Sequence, residues 1–420
     1  MADTITNSGI SPLGVPARND RTTALALHIH RYLPVAAFYF FLNSAGLPLG
    51  LFYTTIFSPF LYLWLYLKGR RWITATFLLV LSPFILAHMV NGVASPLYYL
   101  RSLLLLWSVY IAVYAFSWAL MNSNTVERLF EQLILLNFCA AILALIIRPT
   151  PMRLFLWRDE AETVASTAHL LRLNLLSMEP SAYANLMLPL LVFAALRLLR
   201  ESKQRNFIYL MMIAVPFLLA QSFGGLSIAA AGITVTLLTS YRRLLSHPKP
   251  LAILACLTIA LGVLLLTQNP ISERVFQVAA GGDSSTKSRT NFSFVIAYVV
   301  ATSKSLWWGA GIGQAKLFDV SNLGIGFTIG VIPNAVAGTF AEFGLIGILL
   351  RFVVELYLFF RTRVYLNSFR LAMFVVAFIV QLTGSYITDV QEYMLWCFAF
   401  YPFFPELNLR ANFKSQTSHP

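Results

Sequence analysis

Apolar runs of bilayer length recur along this chain, separated by short gaps in which the polar and basic residues gather. A membrane-crossing helix needs roughly 20 mainly apolar residues. That window predicts twelve helical spans, at 25–43, 48–67, 72–90, 98–120, 127–147, 181–199, 207–221, 225–241, 251–267, 339–360, 369–388 and 392–405. The expected fold is an all-α, polytopic integral membrane protein with one transmembrane domain over 25–405, an N-terminal segment 1–24 and a tail 406–420. Residues 1–24 are polar and lead into no short apolar core with a small-residue cleavage site, so the first span is expected to be retained. Two gaps are longer than the rest, 148–180 and 268–338.

Composition strengthens this class. Hydrophobic residues make up 58% and charged residues 11%, with a mean hydropathy of +0.72, a balance no soluble surface can cover. The net charge of +13 and pI near 9.8 do not point to nucleic acid, because much of the excess sits in short connectors and no basic patch interleaved with aromatics occupies a soluble domain. Cys139, Cys256 and Cys397 fall inside predicted spans without ligand spacing, and the six histidines are scattered. No metal site and no cofactor is therefore expected.

Basic residues in short loops favour the cytoplasm. With twelve spans, Lys68, Arg70 and Arg71, then Arg197, Arg200, Lys203 and Arg205, then Arg242, Arg243 and Lys249, and finally Arg361 and Arg363 all fall on one side. Both termini join them, and loops 148–180 and 268–338 become extracytoplasmic. These two loops are basic as well, carrying Arg148, Arg153, Arg158 and Arg172, then Arg274, Lys287, Arg289, Lys304 and Lys316. Such charge can be ordinary surface or lipid-headgroup contact. It also suits an anionic substrate, since guanidinium groups fork onto phosphate oxygens.

Within the second loop, Asn291 is placed to cap a helix starting at Phe292, whose apolar stretch to Ala301 is too short to cross a bilayer. Trp307 and Trp308 would anchor it at the interface. The turn GAGIG at 309–313 follows, and tight backbone bending is its simplest use. The segment 321–338, rich in Gly and poor in charge, can form a flap or a re-entrant loop.

The order in which these pieces occur carries a resemblance. An Arg at 289, an amphipathic stretch, WWGAGIG at 307–313, a variable loop and PNAVAGTFAEFGLIGILL at 333–350 resemble the signature region of the O-antigen ligase and Wzy-type polysaccharide polymerase superfamily. SMEPSAYANL at 177–186 and SFGGLSIAAAG at 222–232 are similar to two further stretches of that superfamily. Pro333 precedes Asn334 where the ligases carry a His taken to be the base, and Phe223 follows Ser222 where many relatives carry Arg. Both departures favour the polymerase branch, in which a xanthan-type polymerase is a plausible relative. The resemblance implies a GT-C-like fold in the bacterial inner membrane with its active face periplasmic. It implies undecaprenyl-pyrophosphate-linked glycans as donor and acceptor, with a chain-length regulator and a flippase as partners besides membrane lipid.

The chemistry implied is inverting glycosyl transfer with pyrophosphate as leaving group. Arginines can stabilise that group electrostatically without a metal. Arg289 leads the candidates, with Arg172, Arg274, Arg153 and Lys287 behind it. For a general base, Glu179 stands at the start of span six and Glu342 lies eight residues beyond Asn334; Asp319 and His169 are less constrained, and an attacking hydroxyl without a dedicated base stays open. Asn334, Gly311, Gly313 and Ser222, in the signature stretches, complete the substrate-binding set. Arg351 and Glu355 are spaced to pair on one helix face, whereas Asp389 and Glu392 fall in a turn where they can meet the loop arginines or a sugar. Two other functions stay open: an O-antigen ligase, and a flippase or transporter of lipid-linked sugar. The chain shows no internal repeat of the kind many transporters carry.

Overall fold

The computed structural model describes residues 29–42, 46–47, 51–159, 171–201, 203–239, 288–318 and 332–407. The segment 1–24, the expected span 251–267, Arg274, Lys287, His169, Asp319, most of 321–338 and the tail beyond 407 lie outside the described residues.

The described chain is predominantly helical. Its principal helices are α1 (Leu33–Leu42), α2 (Tyr53–Leu67), α3 (Ile73–Asn91), α4 (Pro96–Met121), α5 (Val126–Ile147), the single turn α6 (Arg153–Leu156), α7 (Pro180–Arg200), α8 (Gln204–Leu219), α9 (Phe223–Thr239), α10 (Ser293–Thr302), α11 (Ala335–Arg361), α12 (Ser368–Thr383) and α13 (Val390–Phe400). Five of them, α3, α4, α5, α7 and α11, are long and apolar enough to cross a membrane. Prolines inside α2, α3, α7 and α8 are tolerated where neighbouring helices and local adjustments satisfy the freed backbone groups.

α7 is the hub. It is largely enclosed by α5, α8, α9, α12 and α13, whereas α3 and α11 leave most of their apolar side chains on the outside. Leu79, Leu86 and Val90 of α3 and Val353, Tyr357 and Phe360 of α11 are exposed, as hydrocarbon-facing positions should be. Basic connectors share one end of the bundle. There Arg197 of α7 reaches Glu127 of α5 at 2.5 Å and also pairs with Glu131, which Arg205 of α8 meets at 2.6 Å. The last turn of α2 joins the same end, because Trp64 packs edge-on against Trp118 at the end of α4, the turn from which α5 starts.

Four expectations need correction. The segment 148–180, expected as an outer loop, is not merely a loop, because Trp157–Asp159 and Leu171–Leu173 form an antiparallel ribbon in which Arg158 pairs with Arg172. It is pinned by Trp157, buried and donating to the Ala144 carbonyl at 2.9 Å. A second ribbon pairs Gly46–Leu47 with Leu51–Phe52. Asn291 caps nothing: residues Ser288–Phe292 form a π-helical turn running straight into α10, and α10 itself has only 10 residues.

The third correction concerns the expected span 339–360, which is broken at Gly344 (φ 68°, ψ −164°). Twelve residues of straight helix separate their ends by about 18 Å, yet Arg351 Nη1 donates to Thr339 Oγ1 at 3.1 Å, so the chain turns back at the break. The freed carbonyls of Ala341 and Glu342 accept from Ala310 and Gly311 at 2.9 and 3.1 Å, and the amides of Leu345 and Ile346 donate to Leu306 and Trp307 at 3.0 and 3.1 Å. The segment 306–311 thus replaces the lost helical bonds. A Cβ at Gly344 would strike the Trp307 carbonyl, and one at Gly309 would lie 2.5 Å from the Glu342 backbone.

Fourth, Glu392 is not in a turn facing the loop arginines. It lies in the first turn of α13, fully buried, and pairs with Arg351. The expected Arg351–Glu355 contact is present at 3.2 Å.

Candidate functional site

At the end of the bundle opposite the basic connectors, the N-termini of α7, α11 and α13 meet the C-terminus of α12 and the π-turn that carries Arg289. Arg289 Nη2 stands 3.9 Å from Glu179 Oε2, and the two side chains are 31% and 41% exposed. This is an ion pair loose enough to open and accessible enough to be reached. Glu179 precedes Pro180, which starts α7, and Ser181 Oγ donates to Glu179 Oε2 at 3.0 Å.

Asn334 holds the arginine from below. Its Oδ1 accepts from the Ala337 amide at 2.9 Å, capping α11, while its Nδ2 donates to the Arg289 carbonyl at 3.0 Å and to the Leu382 carbonyl at 2.7 Å. One buried amide therefore uses both its faces to tie the π-turn, α11 and α12 together. Beside it, a Cβ at Gly384 would lie 3.4 Å from Arg289 Nη1, so the guanidinium rests against bare backbone.

The turn Gly384–Asp389 completes the locality. Tyr386 is pushed above its usual range by burial, reinforced by the charge of Glu179 and opposed by that of Arg289. Burial raises the Asp389 carboxyl to about 7, against the Gln391 amide that donates to it at 2.9 Å. Desolvation is the larger effect because nothing cationic is bonded to this carboxylate among the described residues.

The remaining candidates sit elsewhere. Glu342 is buried beneath the glycine turn, bonded by the Gly313 amide, while the Gly311 amide is taken by the Glu342 carbonyl. It lies two turns of helix from Asn334, about 12 Å along the axis. Gly311 and Gly313 face Tyr99 and Ser102 of α4. Nearby, His88 of α3 is held between the Tyr99 hydroxyl at 3.0 Å and the Trp308 carbonyl at 2.9 Å. Arg172 is buried and donates to the Ala220 carbonyl at 3.1 Å at the end of α8. Ser222 accepts from the Gly225 amide at 3.2 Å, and a Cβ at Gly225 would lie 3.1 Å from Ala184 Cβ of α7. Arg153 is exposed on α6. The structure therefore gathers Arg289, Glu179 and Asn334, whereas Arg172 is bonded to the end of α8 and Glu342, Gly311, Gly313 and Ser222 make the contacts just described.

Sequence reasoning missed Tyr386, and of the Arg351 cluster it found the Glu355 pair but not Gln381 and Glu392. Arg351 Nε donates to Glu355 at 3.2 Å, Nε and Nη2 donate to Gln381 Oε1 at 2.9 and 2.7 Å, and Nη2 also meets Glu392. Glu392 accepts from Ser385 at 2.6 Å as well. A charge at membrane depth was the available signal, but its partners come from three helices.

Among the described residues, no group of three or more His, Cys, Asp and Glu is placed to hold a metal ion. Helices long and apolar enough to span a bilayer, a lipid-facing apolar exterior and internally paired charges define the class: a helical membrane protein. No protein-family model matches the chain, and no curated protein matches it.

Proposed function

We propose that this protein is a membrane glycosyltransferase that polymerises undecaprenyl-pyrophosphate-linked repeat units into an exopolysaccharide or O-antigen. On this reading it crosses the bacterial inner membrane twelve times in a GT-C-like fold, with the Arg289 end at the periplasmic face. The observation that carries the proposal is the loose, accessible pair of Arg289 and Glu179, brought together at the end opposite the basic connectors that favour the cytoplasm.

The proposed reaction uses that pair in two roles. The acceptor sugar hydroxyl attacks the anomeric carbon of the donor glycan, and the bond from that carbon to the pyrophosphate oxygen breaks, inverting the centre. The pyrophosphate departs on its lipid, its charge met by Arg289 in a site partly shielded from water. When phosphate takes over the guanidinium, Glu179 loses its partner and becomes available to accept the hydroxyl proton. Asn334 positions Arg289 through its backbone and touches no substrate.

Binding tests this directly. Undecaprenyl pyrophosphate should bind wild type, and Arg289→Ala should weaken it by about 10- to 100-fold, the worth of one charge-assisted contact. Undecaprenol, which lacks the phosphates, should bind both alike. Equal pyrophosphate affinity in the two proteins would remove Arg289 from the site.

A further inference from the structure

A groove of about 850 Å³ runs between α3 and α4 on one side and α11 and α13 on the other. Along α11 its wall includes Thr339 and Phe343 before the break at Gly344 and then extends from Gly347 to Thr362, about 22 Å of helix. Val354 and Leu358 of α11 and Trp396 and Phe400 of α13 make it mainly apolar. The Arg351 cluster also lines it, but those charges are bonded to one another.

One end of the groove differs. Arg370 lines it there and is 6% exposed. Its Nε donates to the Ala399 carbonyl at 2.9 Å, and its Nη2 donates to Thr362 Oγ1 at 2.7 Å and the Phe400 carbonyl at 2.8 Å. All three partners are neutral, and Nη1 has no hydrogen-bond partner among the described residues. No described carboxylate pairs with this guanidinium. The nearest acid on the α11 wall, Glu355, lies two turns from Thr362, about 10 Å along the axis, and is engaged with Arg351 and Gln381. Arg361 and Arg363 stand exposed beside the same end. A buried cation without a counter-ion is costly unless an anion is supplied from outside.

We propose that this groove binds one anionic phospholipid, with its acyl chain lying along α11 and α13 and its phosphodiester on Arg370 Nη1. The membrane supplies such lipids at high density, and their attraction to juxtamembrane arginines adds Arg361 and Arg363 to the recognition. The volume lies in the range of specific ligand sites, and the charge lies at the end where a headgroup belongs. The headgroup end, at the start of α12, lies away from Arg289, which sits beside Gly384 at the far end of that helix, and lipid binding there does not depend on glycosyl transfer.

The test uses full-length protein in mixed micelles with phosphatidylglycerol or phosphatidylcholine brominated on the acyl chain, reading tryptophan quenching. The chain has 8 tryptophans, so the signal of Trp396 is isolated by subtracting that of Trp396→Phe. Phosphatidylglycerol should quench Trp396 at about a tenfold lower mole fraction than phosphatidylcholine, and Arg370→Gln should abolish that preference. Val354→Trp, read after subtracting Val354→Trp/Trp396→Phe so that the new ring drops out of the signal, alters a residue that is 44% exposed on the groove wall. It leaves the Arg370 bonds intact and should also lose the preference, which keeps the test decisive if Arg370→Gln fails to fold. Equal quenching by both lipids would mean ordinary annular contact and overturn the proposal. So would a preference that survives Arg370→Gln or Val354→Trp, or displacement of phosphatidylglycerol from Trp396 by undecaprenyl phosphate at a far lower mole fraction.

Discussion

Replacing Arg351 with Leu should be among the most damaging single changes in the bundle. Arg351 serves two carboxylates, Glu355 and Glu392, with side chains 9% and 0% exposed. Its removal leaves both acids without a cation at membrane depth, and breaking a buried pair in this way costs about 3–5 kcal/mol. Glu392→Gln acts differently. It leaves Arg351 with Glu355, a balanced pair, and keeps one acceptor oxygen on the side of Arg351 and Trp396, whose indole donates at 3.4 Å, while the Ser385 hydroxyl, which donates to the other oxygen at 2.6 Å, can turn to accept from the new amide. The loss should then be about 1 kcal/mol, that of one substituted hydrogen bond. The assay is reversible unfolding of purified protein in detergent by denaturant titration, with both singles and Arg351→Leu/Glu392→Gln completing a cycle. The double variant should be less unstable than the sum of the singles by about 1–3 kcal/mol. Additive losses, or Glu392→Gln as harmful as Arg351→Leu, would refute the charge accounting.

Three further outcomes follow from the geometry. Gly344→Ala places a Cβ on the Trp307 carbonyl at φ 68° and should abolish folded yield, whereas Gly224→Ala, with nothing within 4 Å, should be neutral or slightly stabilising when yields are compared by size-exclusion chromatography. Asn334→Ser keeps a side-chain oxygen that can cap α11 but loses both Nδ2 donors. It should preserve more stability than Asn334→Ala, whose lost cap costs about 1 kcal/mol or more, while still impairing the site through Arg289; equal thermal midpoints for the two would contradict the cap. Asp389 has a folded pKa raised from 3.8 to about 7, so the folded state holds the proton more tightly than the unfolded chain. Its stabilising effect is full below about pH 4 and is lost as pH rises towards 7. Asp389→Asn should flatten the stability profile over that interval, and an unchanged profile would exclude this carboxyl as its source.

The long elements were legible because their pattern is local. The windows 72–90, 98–120, 127–147 and 181–199 reappear as Ile73–Asn91, Pro96–Met121, Val126–Ile147 and Pro180–Arg200, with Pro180 and Pro96 marking two starts. The break at Gly344 was hidden because one glycine in an apolar run is compatible with an unbroken helix. Only the approach of residues 306–311, which take over its backbone bonds, explains it. Likewise Arg289 and Glu179 could each be singled out as charges near an outer helix end, but their proximity depends on how α7, α11 and α12 pack. Glu392 was misplaced for a similar reason. Three residues past Asp389 it looked like part of a polar turn, yet Asp389 is the N-cap of α13 and Glu392 turns inward to Arg351.

The proposed glycosyl transfer takes place at the Arg289–Glu179 end. The most direct measurement is incubation of purified protein in lipid nanodiscs with one undecaprenyl-pyrophosphate-linked repeat unit, followed by separation of the glycans by length. Wild type should yield a ladder of multiples of the unit, Arg289→Ala at matched folded yield should leave the unit unextended, and Glu179→Gln should slow extension. A wild-type protein that leaves the unit unextended in nanodiscs but carries it across a vesicle bilayer would contradict the account and make the chain a transporter.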